Sequence, residues 1–137
     1  MLSPSKYKWR KVQRGRIRGA TKGGAALESG EFGLTATTCG YVNSREIEAA
    51  RICINRYLRR EGNLWIRIFP HKPVTKRPAE TRMGKGKGDV DHYVAVVKPG
   101  RVIFEVGGVK RETALNVLKK ASYKLSVQTK ILEHPPF

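Results

Sequence analysis

Residues 77–88 (RPAETRMGKGKG) interrupt the middle of the 137-residue chain with almost no side chain that a protein core could bury. They lie within a 21-residue connection, residues 70–90, whose first half is stiffened by prolines and whose second half is freed by glycines. A structureless connection of this length is uncommon inside a compact domain, and it is usually functional or disordered. The connection itself is either a slack linker or is ordered by something other than protein.

The charge balance favours the second alternative. The chain has 28 lysines and arginines against 11 aspartates and glutamates, which gives a formal net charge of +17 at pH 7. Charge of this size opposes compaction through self-repulsion, and a polyanion relieves that repulsion. Nucleic acid is the first candidate partner and an anionic membrane surface is the second. No apolar run approaches the roughly 20 residues of a membrane span, and the basic N-terminus lacks the apolar segment of a secretory signal.

The first 22 residues form a basic arm with eight cations and no acid. The arm has too little apolar surface to fold alone, but against RNA its cations can contact phosphates while an aromatic ring stacks on a base. A solvated tail is the alternative, which the interleaved Tyr7 and Trp9 disfavour. The arm residues predicted to contact RNA are Lys6, Lys8, Trp9, Arg10, Lys11, Arg14, Arg16 and Arg18.

The clearest helix signal covers residues 44–61. Asn43 can cap the helix with Glu46 completing a capping box, and Gly62 supplies a stop. At 100° per residue, one arc gathers the side chains expected to be buried: Ile47, Ala50, Ile54, Tyr57 and Leu58. The opposite arc gathers four arginines predicted to contact RNA, because only two acids lie near enough to neutralise them: Arg45, Arg56, Arg59 and Arg60. A merely solvated arginine face is the alternative.

Alternating or β-branched apolar segments predict strands over residues 63–69, 92–97, 101–106 and 126–132, with a hairpin inside residues 25–42. Residues 98–100 (Lys-Pro-Gly) predict a tight turn that pairs the two strands beside it as a second hairpin.

A second basic helix is predicted over residues 111–124, with a buried stripe of four side chains: Ala114, Leu115, Leu118 and Ala121. Antiparallel connections combined with two helices predict an α+β fold, in which an antiparallel sheet carries both helices on one face.

The central loop, residues 70–91, spaces its cations among glycines that let the backbone approach nucleic acid closely. Its residues predicted to contact RNA are Lys72, Lys76, Arg77, Arg82, Lys85 and Lys87. A nucleotide-phosphate loop is the alternative, but that motif needs a strand before it and a helix after it, whereas here a strand follows.

No catalytic, metal-binding or cofactor pattern is found in the sequence. The three histidines form no metal motif, and Cys39 and Cys53 form no C-x-x-C pair, which fits a reducing compartment. Asp91 and His92 are neighbours on a predicted strand, so their side chains should point to opposite faces rather than form a dyad. The sequence therefore predicts no enzyme, no metal and no cofactor.

Four separated motifs resemble the large-subunit ribosomal protein L-sixteen family of bacteria and organelles. They are the N-terminal MLSP and KWRK, then SREIEAAR, WIRIFPHKPVTKRPAETRMGKGKG and YVAVVKPGRVIFEVGGV, and the resemblance extends from residue 1 to about residue 132. It implies a hammerhead-type fold bound to large-subunit ribosomal RNA near the aminoacyl-tRNA site and the peptidyl transferase centre. It also implies a role in late subunit assembly and in seating the tRNA acceptor arm.

The resemblance organises the remaining expectations. The chain divides into the arm (residues 1–22), a single α+β ribosomal domain (residues 23–132, with the inserted loop 70–91) and a short tail (residues 133–137). The expected partners are large-subunit ribosomal RNA, aminoacyl-site tRNA and neighbouring large-subunit proteins, with no membrane and no homo-oligomer. A bacterial cytoplasmic ribosome is the expected location, and an organelle ribosome is compatible. The alternatives are a free, non-specific RNA-binding factor or RNA chaperone and, supported only by stray histidines, an RNA hydrolase.

Overall fold

Two antiparallel sheets and two helices build the part of the chain that the structure describes. The computed structural model describes residues 2–5, 17, 19–21, 23–59, 61–76 and 89–134. Along this part of the chain the elements are β1 (Phe32–Ala36), β2 (Gly40–Asn43), α1 (Ser44–Leu58), β3 (Asn63–Ile66), β4 (Lys72–Lys76), β5 (Asp89–Val97), β6 (Val102–Gly107), α2 (Arg111–Ser122) and β7 (Thr129–Glu133). The predicted α+β class, with two helices and antiparallel strands, is confirmed.

The strands divide into a four-stranded sheet of order β3-β6-β1-β7 and a three-stranded sheet of order β2-β5-β4. Every pairing between neighbours is antiparallel. All residues of β1 and β6 are buried because these strands occupy the middle of the larger sheet. The two helices pack on each other, α2 also contacts β1 and β7, and α1 contacts strands of both sheets.

Both predicted hairpins are wrong, because the paired strands belong to different sheets. β1 pairs with β6 and β7, whereas β2 pairs with β5. The turn between β5 and β6 exists: the Arg101 N–H donates to the Lys98 carbonyl at 3.2 Å, and Gly100 has a φ of +93°. Positive φ at the third position is typical of a type II turn, whose twist splays the flanking strands. The chain therefore crosses from one sheet to the other here.

The connection at residues 70–90 is shorter than the sequence predicts. Lys72–Lys76 forms β4, which pairs with the first half of β5, and β5 begins at Asp89. Pro73 is tolerated within β4 because β4 is an edge strand, where an unpaired backbone position needs no N–H. The expectation of an unstructured segment was therefore wrong at both ends, and residues 77–88 lie outside the described residues.

The first helix begins as predicted and ends early. The Asn43 side chain accepts a hydrogen bond from the Arg45 N–H at 3.0 Å, and the Glu46 carboxylate accepts one from the Asn43 N–H at 2.8 Å. This confirms the capping box. The helix stops at Leu58 because Arg59 adopts a left-handed conformation with a φ of 51°, ahead of Gly62.

The buried faces of the helices differ from the prediction by one residue each. In α1 the apolar side chains of Ile47, Ala50, Ile54 and Leu58 are buried, but Tyr57 is 44% exposed, so its predicted burial is wrong. In α2 the buried residues are Ala114, Val117, Leu118 and Ala121, with Leu115 only partly buried.

Candidate nucleic-acid interface

Five of the residues predicted to contact RNA lie in the described part of the chain. They are Arg45 and Arg56 within α1, Arg59 at its C-terminal cap, and Lys72 and Lys76 in β4. The remaining predicted residues lie outside the described residues: Lys6, Lys8, Trp9, Arg10, Lys11, Arg14, Arg16, Arg18, Arg60, Arg77, Arg82, Lys85 and Lys87.

The side chains of Arg45, Arg56 and Arg59 are exposed, and no salt bridge within the described residues joins any of them to an acid. The two acids of α1 are committed elsewhere. Glu46 accepts from the Asn43 N–H in the capping box and from the Ser126 hydroxyl at 3.3 Å. Within the described residues, the exposed arginines of α1 are therefore not ion-paired with either acid of the helix.

Glu48 is the other acid of α1, and it is paired with Arg51. The Arg51 Nε donates to Glu48 Oε2 at 3.1 Å, and Nη2 forms an ion pair with Oε1. The hydrogen bond from Arg51 lowers the pKa of Glu48, and the same bond raises the pKa of Arg51. Arg51 thus differs from its neighbours on the helix, since its charge is already compensated.

A groove between α1 and α2 extends this basic surface. It has a volume of about 480 Å³ and is lined by Ala49, Ile52, Cys53, Arg56, Tyr57, Lys120, Tyr123 and Lys124. Across it, the Lys120 Nζ lies 3.7 Å from the centroid of the Tyr57 ring, a cation–π contact that joins the two helices. We call this feature the helix-pair groove.

Sequence reasoning missed the groove because its residues come from two helices. The sequence predicted only that Lys120 and Lys124 belong to a basic helix, and it predicted that Tyr57 is buried. One signal was available: Tyr57 lies at the edge of the predicted apolar arc of α1, on the side that turns toward the arginines. An amphipathic tyrosine at such an edge can present its ring to the surface.

Lys72 and Lys76 are placed differently from the arginines of α1. Lys72 is half-buried, and its Nζ lies 5.0 Å from the centroid of the Tyr41 ring in the same sheet. Its charge therefore also contributes to packing on the smaller sheet. The backbone of Lys76 pairs with Asp89 at the far end of β4.

The base of the N-terminal arm is attached to the turn between β5 and β6. The Thr21 N–H donates to the Pro99 carbonyl at 3.0 Å, and the Arg101 Nη1 donates to the Gly23 carbonyl at 3.2 Å. The Val102 N–H donates to the Gly24 carbonyl at 2.8 Å. These bonds determine where the chain leaves the arm and enters the domain.

The buried carboxylate of Glu105 binds the backbone of residues 28–30, which follow the attached base of the arm. Its Oε1 accepts hydrogen bonds from three successive backbone N–H groups at 2.9–3.1 Å: those of Glu28, Ser29 and Gly30. Burial raises the pKa of Glu105, but the hydrogen bond from Arg67 and those from the three amides outweigh it, so the pKa lies below its usual value. The ionised carboxylate is thereby fully partnered.

The described residues contain one close histidine–carboxylate pair, Asp91 and His92. Asp91 and His92 were expected to diverge, but His92 Nδ1 lies 2.7 Å from Asp91 Oδ2. The register of β4 on β5 shifts beside this pair, and such a bulge re-aims side chains. No group of three or more His, Cys, Asp or Glu residues in the described ranges could hold a metal ion, and none of the described helices is long and apolar enough to cross a membrane.

Taken together, the antiparallel α+β domain and its exposed arginines define a class: a basic protein suited to bind a polyanion such as nucleic acid. The family model described as ribosomal protein L16p/L10e matches residues 4–132, so the chain belongs to the ribosomal protein L16p/L10e family. The predicted resemblance is confirmed over nearly the whole chain. This is therefore a structural protein of the large ribosomal subunit that binds ribosomal RNA and takes part in translation.

Proposed function

We propose that this chain binds large-subunit ribosomal RNA through three basic elements and helps shape the aminoacyl-tRNA site near the peptidyl transferase centre. The elements are the arm (residues 1–22), the arginine face of α1 and the loop 70–91. In this role the protein supports late assembly of the subunit and the seating of the tRNA acceptor arm. It acts as a single copy, with no catalytic step, metal or cofactor, in a bacterial cytoplasmic or an organelle ribosome.

One observation carries the RNA-binding part of the proposal: both acids of α1 have other partners, and its exposed arginines form no salt bridge within the described residues. Glu46 completes the cap and Glu48 pairs with Arg51. Guanidinium groups in this state bind phosphates with charge-assisted, often bidentate hydrogen bonds, and each contact releases counterions from the RNA. Thr21 and Gly23 are hydrogen-bonded to the turn between β5 and β6, which fixes the position from which the arm extends. This supports the arm as a second element that contacts RNA.

The test replaces the native protein with variants and isolates large subunits on sucrose gradients. The arginine-face variant combines Arg45→Ala, Arg56→Ala and Arg59→Ala. The control is Arg51→Ala, which removes the same side chain from the same helix where Glu48 already compensates it. We expect the arginine-face variant to accumulate incomplete subunits, whereas the control assembles as the native protein does.

The position near the aminoacyl-tRNA site is tested on subunits that do assemble. Binding of aminoacyl-tRNA to its site should fall in the arginine-face variant and in loop variants such as Arg82→Ala, while binding of peptidyl-site tRNA should be unchanged. Equal binding of both tRNAs in all variants would remove the tRNA-site part of the proposal. Native protein that sediments free of ribosomal particles would favour the free RNA-binding factor instead.

A further inference from the structure

We propose that the helix-pair groove binds one unpaired nucleotide of ribosomal RNA, with the base stacked on Tyr123 and the adjoining phosphates held by Arg56 and Lys124. This inference rests on the proposed function. It adds that the RNA binds in the helix-pair groove and that the bound nucleotide is unpaired. The arginine face alone would serve a duplex equally well, since phosphates are presented by both forms. The groove adds aromatic and apolar surface that an unstacked base can contact but a base stacked within a duplex cannot.

The exposed apolar side chains of the described residues are concentrated here. Four large hydrophobic side chains in that part of the chain are exposed, and three of them line the groove: Ile52 at 45%, Tyr57 at 44% and Tyr123 at 72%. A cluster of this kind, rimmed by charged groups, is typical of a binding surface rather than of scattered surface residues.

Tyr123 has the position expected of a stacking platform. It caps the C-terminus of α2, where its backbone keeps helical dihedral angles and its N–H donates to the Lys120 carbonyl at 3.3 Å. Its backbone is therefore held by the helix while its ring lies open to solvent. A base that stacks on this ring gains contact area without displacing any packed side chain.

Another part of the groove lining is already organised. The Lys120 Nζ sits over the Tyr57 ring at 3.7 Å, which bridges α1 and α2 and holds both side chains in place. Ile52 and Cys53 of α1 add apolar surface to the lining. A groove whose side chains are held before binding loses less conformational entropy when a ligand enters.

The charge of the groove selects an anionic ligand. Three cations line it (Arg56, Lys120 and Lys124), and no carboxylate is found among the described residues of its lining. Its volume of about 480 Å³ lies within the range of roughly 300–1,000 Å³ that is usual for small-molecule sites. A base with its flanking phosphates combines the flat apolar face and the negative charge that this lining complements.

The test measures binding of the full-length chain to two fluorescent RNAs, an unstructured single strand and a blunt duplex with the same number of phosphates. Tyr123→Leu removes the aromatic face and keeps apolar bulk. Its matched control is Phe69→Leu, which alters an exposed aromatic residue outside the groove. Stacking on one aromatic ring corresponds to a loss of roughly fivefold or more in affinity when the ring is removed. We expect Tyr123→Leu to show that loss for the single strand only, while Phe69→Leu binds both RNAs normally.

The charges of the groove are tested in the same assay. Lys124→Ala should weaken binding and reduce the slope of log K against log salt by about 0.7 for the single strand. Lys119→Ala makes the same change of charge on α2 at an exposed residue outside the groove lining, and it should have less effect on single-strand affinity than Lys124→Ala. A Tyr123→Leu variant that keeps native affinity for the single strand, or that loses equally for both RNAs, would overturn the inference.

A second measurement keeps the inference testable if the basic arm dominates affinity. Cys53 lines the groove, whereas Cys39 is exposed elsewhere. Bound single strand should slow alkylation of Cys53 by N-ethylmaleimide several-fold in the native chain but not in Tyr123→Leu. Protection of Cys53 by an acidic peptide and not by RNA would assign the groove to a protein partner and overturn the inference. The proposed function would survive either result, because its tests measure subunit assembly, sedimentation with ribosomal particles and tRNA binding, none of which depends on Tyr123 or Cys53.

Discussion

The guanidinium of Arg67 donates a hydrogen bond to the carboxylate of Glu105, whose side chain has no exposed surface. The same guanidinium approaches the exposed Glu28 carboxylate at 3.4 Å, and the Arg67 carbonyl accepts a hydrogen bond from Arg101 at 2.8 Å. This cluster joins β6, the segment after β3 and the chain that leads into β1. A buried charge is tolerated here because both oxygens of Glu105 have partners.

Replacing Glu105 by Gln should destabilise the free protein by about 3 kcal/mol, because Arg67 and three backbone amides then lose an ionised acceptor inside the domain. Urea-induced unfolding followed by circular dichroism measures the change. Glu133→Gln is the control, since Glu133 pairs with Arg111 at the exposed surface, and such pairs are worth about 1 kcal/mol or less. Equal effects of the two substitutions would contradict the assigned role of Glu105.

The contribution of Glu105 should also depend on pH. Its pKa is lower in the folded protein than its usual value of about 4.3, so folding favours the ionised form. The stabilisation is therefore complete above that value and is lost as the pH falls toward the folded pKa. The difference in free energy of unfolding between the native protein and Glu105→Gln should be constant from pH 7 to 5 and should shrink below about pH 4.3. A difference that grows on acidification would show that the pKa is raised instead.

Replacing Thr35 by Val should stabilise the protein by about 1 kcal/mol. The Thr35 hydroxyl is buried in the central strand β1 and has no hydrogen-bond partner within the described residues. Valine has nearly the same shape and equal preference for strands, so the change removes the cost of desolvating that hydroxyl. The midpoint of thermal unfolding should rise by several degrees. A lower midpoint would indicate that the hydroxyl is satisfied in the folded protein.

Replacing Gly62 by Ala should lower the free energy of unfolding by roughly 2 kcal/mol or more. Gly62 has a φ of +73°, and a Cβ atom there would lie 2.5 Å from the Gly107 carbonyl oxygen. Both the left-handed backbone and the contact with rigid backbone oppose a side chain. Gly23→Ala provides the comparison, because a Cβ at that position meets nothing within 4 Å and the backbone conformation is an ordinary one. We expect Gly23→Ala to leave the midpoint of urea unfolding unchanged or slightly higher.

Arg56→Ala and Arg51→Ala should differ in their effect on RNA binding although both remove one arginine from α1. Arg56 is exposed and uncompensated, whereas Arg51 is ion-paired with Glu48. Loss of one phosphate contact lowers the salt slope by about 0.7–0.9. A salt titration of binding to large-subunit RNA should show that reduction for Arg56→Ala and a much smaller one for Arg51→Ala. Identical slopes would mean that the ion pair with Glu48 opens on binding.

Local patterns in the sequence were sufficient to predict the two helices and the basic character of the surface. The capping box of Asn43 and Glu46 involves residues three positions apart, so the start of α1 follows from short-range hydrogen bonding and appears as predicted. The excess of 17 positive charges is a property of composition, and it indicated a polyanionic partner before any fold was known. The family resemblance likewise depends on motifs that are continuous in the chain.

The tertiary structure decided what depends on residues far apart in the chain. Strand alternation predicted the strands on both sides of the turn at Pro99 and Gly100, but their division between two sheets follows from pairing with distant partners. Glu105 was not identified as a buried anchor because its amide partners lie 75–77 residues away. Tyr57 lies at the edge of the apolar arc of α1, and its contact with Lys120 of α2 across the helix-pair groove could not be read from periodicity within α1. Packing between segments that are distant in the chain determines which side chains are buried. It therefore also determines which side chains remain exposed to contact a partner.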